Sequence, residues 1–138
     1  MASKADILKE LDFVTDKLSA QVRTTALGAL VFVWALLVGE SPIARSVAGQ
    51  LEWHLVGVAA VAILTMFLDF LQYVAGYVNE KNVYRAMQAA KEDTAEYDET
   101  RCSWRLRLIF FWAKILGLTV TVIWLLAVLG YWLSTSYR

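Results

Sequence analysis

Three long apolar runs, parted by short charged stretches, organise this chain. Thr24 to Gly39 reads TTALGALVFVWALLVG, Leu55 to Val78 reads LVGVAAVAILTMFLDFLQYVAGYV, and Leu106 to Leu133 reads LRLIFFWAKILGLTVTVIWLLAVLGYWL. A helix that crosses a bilayer needs about 20 mostly apolar residues. The second and third runs meet that length, and Val22 extends the first, with Arg23 able to snorkel to the headgroups. The expected spans are 22–39, 54–78 and 106–133.

Ahead of the first span, Ile7, Leu8, Leu11, Val14 and Leu18 recur at helical spacing opposite Lys4, Asp6, Glu10, Asp12, Asp16 and Lys17. This pattern predicts an amphipathic helix over 1–20, lying on a membrane surface or running straight into the first span. The stretch SPIARSVAG predicts a short interfacial helix, with Ser41 as N-cap and Pro42 at the first helical position. Residues 79–105 contain no breaker before Glu92, so the second helix should continue past the apolar run. A turn at 92–100 then returns the chain into the third helix, with Asp93 and Glu96 placed as a capping box. The expected fold is an all-α integral membrane protein. It has three transmembrane helices, an N-terminal amphipathic helix and a cytoplasmic extension of the second and third helices, in a single membrane domain.

Charge sets the orientation. Ten Lys and Arg residues fall on the side of the N-terminus and the 79–105 hairpin, and two, Arg45 and Arg138, on the other. The positive-inside rule then puts the N-terminus and hairpin in the cytoplasm and the C-terminus outside, most simply in a bacterial cytoplasmic membrane. Trp53 and Trp132 fit the outer interface and Trp104 the inner one. Arg23, Arg101, Arg105 and Arg107 are placed to contact lipid headgroups.

Composition removes several classes of function. Of 138 residues, 59% are hydrophobic, more than a soluble domain of this size can bury, and the formal net charge is zero. No basic run interleaved with aromatics suggests nucleic acid as a partner. With one cysteine, Cys102, and one histidine, His54, neither a disulfide nor a Cys- or His-rich metal site is expected, and no cofactor is expected.

The chemistry that stands out is intramembrane. A carboxylate near mid-bilayer costs at least about 2.5 kcal/mol. Asp69 is too short and too deep to reach the headgroups, so it needs a partner, a proton or water. Lys114 lies at a matching depth, roughly 10–15 Å from the inner ends of the helices at 1.5 Å per residue. We therefore expect an Asp69–Lys114 ion pair, within one subunit or across a subunit boundary. It serves either to fix helix register or to handle an ion, proton or lipid. Thr65, Gln72, Tyr73 and Gly76 should share the Asp69 face, and Ala113, Gly117 and Thr121 form a stripe of small side chains beside Lys114. Gln21, Thr25, Gly28 and Ala29 make a similar stripe on the first span.

The layout resembles that of the prokaryotic diacylglycerol kinases, which also combine an amphipathic N-terminal helix with three spans. That family carries a Glu-x-x-Asn-x-x-x-Glu pattern on its second span. The stretch here reads Asp69-x-x-Gln72-x-x-x-Gly76, with Gly76 in place of the second metal-holding carboxylate. The likeness is one of architecture, and no enzymatic activity is expected from it. The functional expectation is an oligomeric membrane protein that forms or gates a pore or otherwise perturbs permeability, in the manner of small bacterial effectors. The alternative is a non-catalytic scaffold or accessory subunit that binds a cytoplasmic or membrane protein partner through the 79–105 hairpin. Beyond that partner, the lipid bilayer and further copies of the chain are the expected contacts.

Overall fold

In the computed structural model, the described residues are 4–90 and 102–136, with side chains described from residue 10 onward except at 11, 12 and 90. Three helices account for almost all of them: α1 (Lys4–Val38), α2 (Pro42–Ala90) and α3 (Cys102–Ser136). Each is long and apolar enough to cross a membrane, with mean hydropathy of 1.6, 2.1 and 2.1 in their most apolar stretches. The turn at 92–100, its capping box and acidic residues, Arg101, and most of the N-terminal polar and apolar faces lie outside the described residues.

The stretch 4–20 is not a separate helix. It runs without a break into the first apolar run, so α1 is one rod of 35 residues, about 52 Å long. No proline or glycine intervenes to stop it before Gly28. After Val38 the chain turns tightly at Gly39, where a Cβ would sit 2.4 Å from the Ala35 carbonyl oxygen and 2.9 Å from Ala44 Cβ. Only glycine allows that approach. Ser41 then caps α2, its Oγ accepting from the Ala44 backbone N–H at 3.1 Å. The short helix expected after this cap is the first arm of α2, joined to the rest through a kink at Leu51 (φ −131°, ψ 20°).

α2 packs against both neighbours and is antiparallel to each, while α1 touches α3 more sparingly. Contacts of α2 with α3 step in opposite directions along the two chains, from Ser46–Trp132 through Gly57–Trp124 and Thr65–Gly117 to Asn79–Ser103. We call the end where α2 finishes and α3 begins the hairpin end, and the end at Gly39–Ser41 the loop end.

The buried positions follow a repeating step of three and four residues. On α1 they are Ser19, Val22, Ala26, Ala29 and Val33. On α2 they run Ala44, Val47, Leu51, Leu55, Val58, Ala62, Thr65, Asp69, Gln72, Gly76 and Asn79, with Ala75 buried beside Gly76, and on α3 Lys114, Thr121 and Val128 recur at the combined step of seven. This is the seam spacing of helices that wrap along one another. Toward the loop end the seam is apolar, with Val33, Val47, Leu51, Leu55, Val58 and Val128 packed against Trp124 and Trp132. Toward the hairpin end the same positions become Thr65, Asp69, Gln72 and Asn79.

Candidate functional site

The seam decides which polar side chains meet. Asp69 and Lys114 face each other from α2 and α3, with Lys114 Nζ donating to Asp69 Oδ1 at 2.5 Å. Lys114 is fully buried and Asp69 is 2% exposed. Two further residues complete the cluster, both from α1. Lys114 Nζ also donates to Ser19 Oγ at 2.6 Å, and Arg23 Nε approaches Asp69 Oδ2 at 3.3 Å. The carboxylate thus divides its two oxygens between two cations, and all three helices contribute to one buried polar knot.

The ammonium has three donors; two are taken by Asp69 and Ser19, and Nζ lies 5.5 Å from the centre of the Phe111 ring. Arg23 differs from Lys114 in setting. Its side chain is 51% exposed, it reaches the Tyr73 hydroxyl at 3.5 Å, and its guanidinium sits 5.3 Å from the Tyr73 ring centre. Two cations and one carboxylate leave a surplus positive charge, carried at the bundle surface by Arg23.

The sequence pattern did not point to Ser19, and it assigned Arg23 to headgroups alone. Ser19 belongs to the three-and-four series Ser19, Val22, Ala26, Ala29 and Val33, a signal available in the sequence. The meeting of Arg23 with Asp69 had no such signal, because it depends on how far α1 is shifted along α2.

The other expected interface residues divide. Thr65, Gln72 and Thr121 are buried, and Gly76 with them. Gly117 gives α3 its close approach to α2: a Cβ there would stand 2.5 Å from Thr65 Oγ1. Ala113 is half-buried. Tyr73 is not on the seam, since the buried series takes 72 and 76 and leaves 73 44% exposed. On α1, Ala29 faces inward, but Gln21, Thr25 and Gly28 face out of the bundle. That stripe is a feature of the outer surface, not of the packing between the three helices.

Of the arginines, Arg105 is exposed and Arg107 half-buried. Arg107 lies against Gly76, where its Cδ and Nε would be 3.9 Å from an added Cβ. An added methyl at Gly76 would meet this cation only in ordinary van der Waals contact. Nearer the hairpin end, Ser103 Oγ donates to Asn79 Oδ1 at 3.2 Å. Gln72 Oε1 and Asn79 Nδ2 are buried without a hydrogen-bond partner. Among the described residues, no three His, Cys, Asp or Glu side chains gather as a metal site would require.

The arrangement holds charge in a fixed place inside an apolar bundle, and it leaves polar atoms unsatisfied on one side of that charge only. Compared with known proteins, the chain matches no protein family, no curated protein and no solved structure.

Proposed function

We propose that the chain is an integral membrane protein whose copies associate and form or gate a pore, with the hairpin end in the cytoplasm. The observation that carries this reading is the outward polar face of α1. Gln21, Thr25 and Gly28 are exposed there, next to the half-exposed Arg23 that leads to buried Asp69 and Lys114. By contrast, the outer faces of α2 and α3 present Ile63, Leu64, Phe67, Ile109, Leu116 and Ile123. A bundle whose interior is packed has no path of its own, so any path must run between copies. Nothing lies within 4 Å of a Cβ built on Gly28, which leaves room for a second helix to approach closely. Further along the same helix, Leu27, Val31, Phe32 and Trp34 are exposed. A path lined by α1 would be polar near Arg23 and apolar beyond it, as in a constriction that opens by wetting.

Buried Asp69 and Lys114, joined by half-exposed Arg23, supply the rigid point against which α1 is held. Gly76 in place of a second carboxylate supports a non-enzymatic role. The test uses Thr25→Cys and Gly28→Cys in a Cys102→Ser background. Disulfide-linked dimers in membranes, together with collapse of the membrane potential reported by a voltage-sensitive dye, are expected. Monomers from both cysteine variants, with the membrane potential intact, would overturn the reading.

The scaffold reading rests on a different observation. α2 remains helical to Ala90, beyond its apolar run, and displays Tyr84 at 60% exposure. Self-association without leakage, combined with capture of a soluble protein that Tyr84→Ala abolishes, would favour it.

A further inference from the structure

One to three turns from the knot toward the hairpin end, the three helices part and leave a cavity of about 380 Å³. Asp16 of α1, Gln72 and Glu80 of α2 and Arg107 of α3 line it, and Tyr73 and Tyr77 flank it. Ser19, whose hydroxyl receives Lys114, also lines it.

Three properties together define what fits there. First, it holds both signs of charge, and none of Asp16, Glu80 or Arg107 has an ion-pair partner among the described residues. A simple anion would meet two carboxylates, and a simple cation would meet the guanidinium. A zwitterion satisfies both. Second, Gln72 is 94% buried by its 6% exposure, and its Oε1 has no donor. An unsatisfied buried acceptor calls for an N–H or O–H group, and a charged donor serves it best. Third, the cavity sits where the apolar run of α2 ends at Val78, between two exposed tyrosines of the kind that mark a membrane interface.

We propose that this cavity binds the headgroup of a primary-amine zwitterionic phospholipid, phosphoethanolamine in its chemistry. Arg107 contacts the phosphate, and Gln72 Oε1 and Asp16 receive the ammonium, with Glu80 about two turns beyond Gln72 at the hairpin-end side of the cavity. A guanidinium is well suited to a phosphate, and a primary ammonium brings N–H donors to both acceptors. The trimethylated amine of a choline headgroup carries the same charge but has no N–H to give. The proposal needs the membrane location proposed above but not the pore, so loss of self-association or leakage leaves it standing.

The test incorporates the full chain into nanodiscs of equal parts phosphatidylethanolamine, phosphatidylcholine and phosphatidylglycerol. Native mass spectrometry then reads the lipid retained on the released protein. Phosphatidylethanolamine should exceed phosphatidylcholine by about tenfold, the value of a charge-assisted hydrogen bond that one lipid can make and the other cannot. Gln72→Leu should lower that ratio severalfold, Gln72→Leu with Asp16→Asn should bring it close to one, and Arg107→Gln should lower retention of both lipids together. Equal retention of the two lipids by the unaltered protein, or preference for phosphatidylglycerol, overturns the proposal whatever the variants do. Free O-phosphoethanolamine added at millimolar concentration should leave the bound lipid in place. If it displaces the lipid, the ligand is the soluble compound and the lipid assignment fails.

Discussion

Toward the loop end, Leu55 and Val58 fill the seam against Trp124, and little beyond shape holds the helices there. Toward the hairpin end, the same seam positions carry Asp69, Gln72 and Asn79, and directional bonds tie α2 to both neighbours. The contrast separates two kinds of information. Apolar packing in a lipid setting holds helices together weakly, because lipid tails compete for the same contacts. It also tolerates a slip of one helix along another. A buried acid with two cations on two different helices does not tolerate such a slip, since any shift leaves a charge unpaired. The polar half therefore sets the register, and the apolar half follows it.

The largest effect should come from breaking the knot at its centre. Asp69→Ala leaves Lys114 buried with Ser19 as its remaining acceptor, at a cost of about 3–5 kcal/mol in a denaturant titration of the reconstituted protein. Lys114→Met should cost less, because Asp69 keeps Arg23. Replacing both, Asp69→Leu with Lys114→Met, should recover most of the loss. A double variant no more stable than Asp69→Ala alone would mean the two groups are not coupled.

In the apolar half, Leu55→Ala at a fully buried position should cost about 2 kcal/mol. That is the low end for such a change, because in lipid the removed methyl groups lose packing but not a transfer from water. A cost equal to that of Asp69→Ala in the same titration would erase the contrast between the halves.

The boundary between them can be probed at Gly117. Gly117→Ala pushes a methyl to 2.5 Å from Thr65 Oγ1, at a cost of about 1–2 kcal/mol. In a Thr65→Ala background the next atom, Thr65 Cβ, lies at 3.5 Å, and the penalty should vanish. An equal penalty in both backgrounds would show that the close approach is not the cause. The same substitution at Gly57 meets the far edge of the Trp124 indole at 2.6 Å, a side chain that can swing aside, and should be milder.

The smallest effect should come from Trp132→Phe, which removes the donor to Ser46 Oγ at 3.1 Å and leaves a smaller aromatic ring in its place. The expected loss is about 1 kcal/mol or less. A larger loss would mean that the loop end also relies on directional bonding.

The elements themselves were legible because their causes are local. Uninterrupted apolar runs make long helices, and Ser41 and Pro42 start α2. The need of Asp69 for a partner was legible too, because a carboxylate among Met, Phe and Leu is costly wherever the chain turns. Tyr73 was assigned to the interface because 69, 72, 73 and 76 share a broad helical face, and composition does not divide that face more finely. Packing does, selecting 72 and 76. The outward direction of Gln21, Thr25 and Gly28 was hidden for the same reason, since small residues suit an inner or an outer contact equally.

From the order of its residues alone, the chain determines three apolar rods, the turn between the first two, and a buried acid and amine that must be neutralised. These follow from hydropathy, capping and desolvation, which act within a few residues. The tertiary structure decided that Arg23 and Ser19 join that pair, that Gly117 admits Thr65, and that Arg107 lies against Gly76. Each depends on the axial shift and rotation of one helix against another, and those are set only when all three side-chain surfaces are packed together.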